Sequence, residues 1–331
     1  MRALLSIAAI ALCSAAHAQF APQAGVAGST AIPSSSPLFA GWATSCTVQR
    51  GYIDIADPPA GLTSLGDPAN ATGMSNSSIV SLGDSGVATL TFSGHLYNGS
   101  GPDFAVFENG FADPADPSMA FLELAFVEVS SDGVTFFRFP ATSNTPVSPQ
   151  VPGSGVYMDA SKVHNLAGKY ISGYGTPFDL QDLAGTPGLD VNNITHIRLV
   201  DVVGSVSGHS STDKEGQVIN DPYPTNFPSG GFDLDAVGAI HLISTGIDIA
   251  GPALQAAIFP NPATDKVNIR IAHAMGNTRL TLTSTTGAVL LQAPITGTTA
   301  ELSIAKYPAG IYYLSISDDN GNTWTGKLAR Y

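Results

Sequence analysis

The stretch GGFDLDAVGAIH, residues 230–241, sets Asp233 and Asp235 two positions apart in an otherwise apolar run. In an extended strand such a pair shares one face, here with Val237 and Ala239, while Leu234, Ala236 and Ile240 take the other. A strand apolar on both faces is a buried strand. A carboxylate inside it must find a partner or keep its proton. Two more acids fall in similar positions. Asp201 alternates in phase with Ile197, Leu199 and Val203 in ITHIRLVDVV, and Glu108 with Phe104 and Val106 in PDFAVFENGF.

Partners of opposite charge are scarce. Residues 21–245 hold 21 acids against six Lys and Arg, and beyond 245 the signs nearly balance, so the formal net charge of −13 belongs to the first part of the chain. That balance argues against nucleic acid or an anionic membrane as partner. A hard divalent cation resolves the burial, because Ca²⁺ takes about six to eight oxygen ligands. The reading is a structural Ca²⁺ site at the edge of a β-sandwich, built from Asp233, Asp235 and Glu108, with Asp103 and Asp201 as further candidate ligands. The same acids also fit turn capping or pairing with Arg138 or Arg198, and there is no complete EF-hand loop.

Catalysis has candidates but no constellation. Glu108 and Asp233 could act as the paired acids of a glycoside hydrolase. There is no G-x-S-x-G elbow, no H-E-x-x-H and no Walker loop. His95, His164, His196, His209 and His241 are scattered without zinc spacing. Cys46, beside Trp42 and Val48, reads as a packed small residue. A binding surface is the better fit. GKYISGYGTPFDL puts Tyr170, Tyr174 and Phe178 in a Gly-rich loop, and NDPYPTNFPSGG adds Tyr223 and Phe227. Aromatic faces at one end of a sandwich suit sugars or flat ligands, although the same rings could pin long loops to the core.

These residues need elements to position them. Charged residues are only 12%, with 35 Gly and 23 Pro, and strand-like runs between turns mark an all-β exported protein. The leader MRALLSIAAIALCSAAHAQF has Arg2, an apolar run from Leu4 to Leu12, and Ala16-His17-Ala18 as a cleavage site, so 1–18 reads as a signal peptide for Sec export. Cys13 raises a lipoprotein alternative, which the bulky Leu12 disfavours. With Cys13 removed, Cys46 has no internal disulfide partner. No later stretch is long enough for a transmembrane helix.

The cargo is expected over 19–245, as a sandwich of eight or more strands. They include GVATLTFSG, PDFAVFENGF, ITHIRLVDVVG and GFDLDAVGAIHLI. FLELAFVEVSSDGVTFFRFP predicts a tight hairpin at Ser131-Asp132-Gly133, and long loops are expected at 140–190 and 204–230. A linker at 246–254 follows. The stretch 255–331 then shows about seven short strands, with turns at Thr286-Gly287, Pro308–Gly310 and Asp319-Asn320-Gly321, which is enough for a small sandwich.

Within 255–331, FPNPATDKVNI, LTSTTGAVLL, LSIAKYPAGIYYLSI and the final GKLARY resemble, in order and spacing, the C-terminal sorting domain of the type IX secretion system of Bacteroidetes. The resemblance implies an immunoglobulin-like β-sandwich, the type IX secretion machinery as partner, and delivery outside the cell or onto its surface. In that family the tail is usually cut off. In the cargo, VEVSSDGVTFFRF followed by HIRLVDV resembles the galactose-binding-like jelly rolls of discoidin and carbohydrate-binding modules, which often hold a structural calcium. GPDFAVFENGF, GKYISGYGTPFDL and NDPYPTNFPSGGFDLDAVG also resemble uncharacterised bacterial surface proteins. The expectation is an all-β chain. A jelly-roll-like, Ca²⁺-stabilised sandwich binds a glycan or small nutrient, and a C-terminal sorting domain follows it. A glycan-active hydrolase and a structural surface-layer component are the alternatives.

Overall fold

Strands dominate because the chain alternates apolar and polar residues between Gly- and Pro-rich turns, and no apolar stretch keeps a helical period. A computed structural model describes residues 20–244, 255–272, 278–318 and 323–331. The signal peptide, Cys13, the linker at 246–254 and the Asp319-Asn320-Gly321 turn lie outside the described residues. Among those described there is no α-helix, only four short 3-10 turns. The chain divides into two compact units, Met1–Thr245 and Gly246–Tyr331.

Seven longer strands build the first unit: β1 (Ser45–Gln49), β2 (Val87–Leu96), β3 (Phe104–Glu108), β4 (Ala125–Ser130), β5 (Tyr174–Phe178), β6 (Ile194–Asp201) and β7 (Asp233–Ala239). One antiparallel sheet runs β5-β3-β7, with the short strands Ile32–Pro33 and Gly41–Trp42 at its edges and Val80–Ser81 on β7. The second sheet runs β4-β6-β2. There β1 pairs with β2, and Leu242–Ser244 closes the edge. Phe104, Val106, Leu234, Val237 and Ala239 of the first sheet pack against Leu90, Val127, Val129, Ile197 and Leu199 of the second. The unit is therefore a β-sandwich. β3 and β7 are apolar on both faces for a visible reason. Their outer side is covered by a second cluster, in which Phe39 and Trp42 pack on Ala105, Phe107 and Ala236.

Three local expectations change. In β7, Leu234 lies opposite Glu108 and Ala236 opposite Phe107, with a register shift between them. Leu234 consequently joins Val237 and Ala239 in the main core, while Ala236 faces the outer cluster. Asp235 is the extra residue of this bulge, and Asp233 lies off the Val237 face. The strict alternation that put both aspartates on the face of Val237 and Ala239 does not hold, because a bulge shifts side-chain phase by one. The hairpin after β4 is wider than expected. Phe137 pairs with Val129, leaving 131–136 as a loop. Asp132 organises it by accepting from the N–H groups of Val134 and Thr135 at 2.8 Å each, and Gly133 supplies the positive φ of 76°. Finally, 174–178 is strand rather than Gly-rich loop.

The second unit has β8 (Gln255–Phe259), β9 (Lys266–Ala272), β10 (Thr278–Ser284), β11 (Val289–Ile295), β12 (Thr299–Ser303), β13 (Gly310–Asp318) and β14 (Thr323–Arg330). They form sheets ordered β8-β9-β12 and β11-β10-β13-β14. Val267, Ile269 and Ile271 pack against Leu280, Leu282, Leu314, Ile316 and Leu328. The alternation of KVNIRI and TRLTLT becomes the inward face of a small immunoglobulin-like β-sandwich.

Candidate functional site

Ten acids of the first unit are buried: Asp84, Asp103, Glu108, Glu123, Glu128, Asp201, Asp213, Asp221, Asp233 and Asp235. Lys169 is the one buried base among the described residues, so ion pairing cannot neutralise all ten. Glu128 does pair, with Arg138 at 2.8 Å and Arg198 at 2.5 Å. The other acids separate by whether both carboxylate oxygens already have donors.

Four of the five expected metal ligands, Asp103, Asp201, Asp233 and Asp235, have donors on both carboxylate oxygens. Asp103 meets His241 Nδ1 at 2.6 Å and accepts from the N–H groups of Gly99 at 2.7 Å and Leu180 at 2.6 Å. Asp201 accepts from Phe232 N at 2.7 Å and Ser85 N at 3.1 Å. Asp235 accepts from Ser75 Oγ at 2.6 Å and Asn76 N at 3.2 Å. These carboxylates clasp loops to the sheets. Asp103 also sits at the opposite end of β3 from Glu108, roughly 15 Å away at about 3.3 Å per residue. The two cannot share an ion.

Of the five, Glu108 and Asp233 do come close enough to act on each other's charge, and Glu123 and Asp221 join them in this. Glu108 accepts from Gly110 N at 2.7 Å through Oε2. Asp233 accepts from Ser81 Oγ, and from Asn109 Nδ2 at 3.0 Å. Asp221 accepts from Leu124 N at 3.2 Å through Oδ2, while its buried Oδ1 has no hydrogen-bond partner. Thr225 Oγ1, from the same segment, is likewise buried and unpartnered. Burial lifts Asp233 to about 6, and the hydrogen bonds from Ser81 and Asn109, then the Arg50 charge, offset part of that rise. Arg50 itself donates to the carbonyls of Leu65, Ser81 and Gly66. Glu108 stands well above the usual carboxylate range, through burial first and the Asp233 charge second. Glu123 does so through burial and then the charges of Asp233, Glu108 and Asp221. Burial likewise raises Asp221. Two glycines admit the chain into this crowded corner. A Cβ on Gly230 would lie 2.3 Å from the Thr225 carbonyl, and one on Gly231 2.6 Å from Asp201 Oδ1. The GG before FDLD is therefore a close-approach signal.

Glu123 and Asp233 open onto a pocket of about 180 Å³, whose other walls are Asn109, Ser229, Gly153, Phe111, Phe121 and Phe227. Phe111 and Phe121 stack at 5.1 Å, and Phe111 and Phe227 are about half exposed, at 54% and 48%. No basic side chain among the described residues lines it. Glu123 had a signal in the sequence: it sits in the apolar run FLELAF as Glu108 sits in FAVFE. Asp221 had none, because its segment is irregular.

The expected ligand-binding aromatics scatter. Phe227 lines the acidic pocket. Tyr170 is buried, with its hydroxyl 2.8 Å from Thr30 Oγ1, at a separate cleft shared with Lys169 and His164. Phe178 is a core residue instead, stacked 5.3 Å from Phe104 and edge-on to Phe139. It is buried because β5 places it on the inner face. Tyr174 is half-buried in β5, and Tyr223 donates to Asp54 Oδ1 at 2.8 Å. The Tyr223 ring is thus tied to the unit, and neither ring lines the pocket of Phe227.

Residues 257–329 match the family described as the secretion system C-terminal sorting domain. The tail is thus a type IX sorting domain. It assigns the protein to the outer cell surface or the extracellular space, with the secretion machinery as partner. No helix among the described residues is long and apolar enough to cross a membrane. No curated protein matches this chain. Among solved structures, a Bacteroides vulgatus protein with an immunoglobulin-like β-sandwich fold is 18% identical. That match covers 24% of this chain and 96% of that one, at a TM-score of 0.20. A β-glucuronidase from Ruminococcus gnavus is 9% identical over 74% of this chain and 35% of its own, with a TM-score of 0.23. One from Lactobacillus rhamnosus is 10% identical over 74% and 35%, with a TM-score of 0.21. The chain spans about a third of the length of these β-glucuronidases. None of these likenesses bears on the chemistry of the acidic corner.

Proposed function

We propose that the first unit is a surface-displayed binding module that holds a glycan in the pocket of Phe111, Phe121 and Phe227. The observation that carries this reading is the meeting of aromatic faces with hydrogen-bonding groups in one pocket. A sugar ring offers apolar C–H faces to an aromatic ring and hydroxyls to carboxylates and amides. Phe111 and Phe227 supply the faces, and Asn109, Glu123, Asp233 and Ser229 supply the polar contacts. The jelly-roll resemblance of VEVSSDGVTFFRF supports the same class of ligand, and export to the cell surface is compatible with it. A calcium ion stabilising the sandwich belongs to this proposal too.

The test is a glycan array probed with the purified chain, repeated with Phe111→Ala and Phe227→Ala. Retained wild-type signal in both variants, or no glycan signal in wild type, would sink the reading. A hydrolase is the second reading, favoured by Glu123 and Asp233 sharing a pocket with raised carboxyl groups. It requires sugar release that Glu123→Gln abolishes.

A further inference from the structure

We propose that the cleft shared by Lys169, His164 and Tyr170 binds a small organic carboxylate whose other groups donate hydrogen bonds, of sugar-acid or amino-acid type. The cleft holds about 460 Å³ and has no lining residue in common with the glycan pocket. Lys169 is 4% exposed and is the one buried base among the described residues. An ammonium so buried needs an opposite charge or a full set of acceptors. Its Nζ donates to the Val163 carbonyl at 2.9 Å and lies 5.9 Å from the Phe20 ring and 5.6 Å from the Tyr170 ring. None of the ion pairs among the described residues includes it, although acids far outnumber bases in this unit. With one acceptor for three N–H donors, Lys169 suits a carboxylate, which brings both the charge and the lone pairs. Burial holds the ammonium down to about 8 against the charge of Asp159, so an anion beside it restores what desolvation takes.

The wall is built before any ligand arrives. Gln23, fully buried, donates from Nε2 to the Lys169 carbonyl at 3.2 Å and accepts from Ile171 N at 3.2 Å, which pins the backbone on both sides of Tyr170. The Tyr170 hydroxyl is 2.8 Å from Thr30 Oγ1. His164 stacks on Phe20 at 4.8 Å, and burial, then the Lys169 charge, lower its pKa, so the ring is a neutral hydrogen-bonding group. Exposure sorts the rest of the lining. Lys169 and Tyr170 are buried, Asp179 is half-buried and Asp182 is exposed. Asp179 accepts from Gln181 N at 2.9 Å through Oδ1, and Asp182 from Asn165 Nδ2 at 2.9 Å through Oδ2. The second oxygen of each takes no donor among the described residues. A ligand anionic throughout meets these acids with repulsion. One that carries hydroxyl or ammonium groups beyond its carboxylate pairs with them, while Ile32 and Pro177 face its carbon skeleton.

The test is calorimetric titration of the full chain with D-glucuronate and with L-leucine, each against a counterpart without the carboxylate, D-glucose and L-leucinamide. At least one of the two acids is expected to bind saturably and about tenfold or more tighter than its counterpart. Which of them binds separates a sugar-acid from an amino-acid ligand. Lys169→Met keeps the apolar stem, removes the charge and is expected to weaken that binding about tenfold or more. Should Lys169→Met fail to fold, Leu38→Asp takes its place: Leu38 is an exposed part of the cleft wall, and a charge there repels the carboxylate. No saturable heat with either acid would overturn the inference, as would equal affinity for the counterpart or binding undiminished in the folded variant. Phe111→Ala should keep this binding while losing the glycan, so the two readings fail separately.

Discussion

His241 Nδ1 lies 2.6 Å from Oδ1 of Asp103, and the Asp103 carboxylate also accepts from the backbone of Gly99 and Leu180. One fully buried side chain thus ties the start of β3 to the segment after β5 and to the exit of β7. The main chain adds to the clasp, with Ile240 N and His241 N both donating to the Asp103 carbonyl. Asp103→Ala strands these buried donors. A loss of about 3 kcal/mol of stability is expected, measured by urea unfolding. A variant as stable as wild type would refute the clasp.

The buried acids set an unusual pH dependence. Burial raises Asp84 and Asp233 to about 6, and Glu108, Glu123, Asp201 and Asp221 well above their ordinary values. In the unfolded chain these groups titrate near 3.8 for Asp and 4.5 for Glu. Across the window from there to above 6 the folded state binds more protons, so stability falls as pH rises. The melting temperature at pH 5 should exceed that at pH 7.5. A melting temperature that climbs from pH 5 to 7.5 would contradict the arrangement.

Burial separates the aromatics into two roles. Phe178→Ala removes a core ring from between Phe104 and Phe139 and is expected to cost about 3–5 kcal/mol. Phe111→Ala and Phe227→Ala truncate half-exposed rings and should cost under about 1 kcal/mol while abolishing glycan retention. Chemical denaturation and affinity electrophoresis on the same three proteins check both halves.

Deleting residues 255–331 removes the whole second sandwich and should leave the protein in the periplasm, read by cell fractionation. Residues 20–245 expressed alone should unfold in one cooperative transition, because both packed sheets and their core lie within that span. Truncated protein outside the cell would refute the export role, and a non-cooperative melt would refute the boundary.

The local pattern was legible in the sequence. Alternation in GVATLTFSG, ITHIRLVDVV and KVNIRI marked strands, since a period of two is a property of neighbouring residues. It also marked Glu108 and Asp201 as buried, and the ordered tail motifs marked a sorting domain. Only the tertiary structure decided which acids were satisfied. The donors to Asp235 are 160 and 159 residues away, and those to Asp103 include Leu180, 77 residues on. They come from loops without a period. The bulge at Asp235 is likewise a matter of pairing between β7 and β3, not of either strand alone. Asp221 reaches Glu108 and Glu123 only because an irregular segment folds back over the sandwich. Phe178 went to the core for a similar reason: β5 pairs with β3, and that pairing turns its ring inward. Hydrogen bonds and charge contacts act through space, so a carboxylate's fate depends on where distant chain passes.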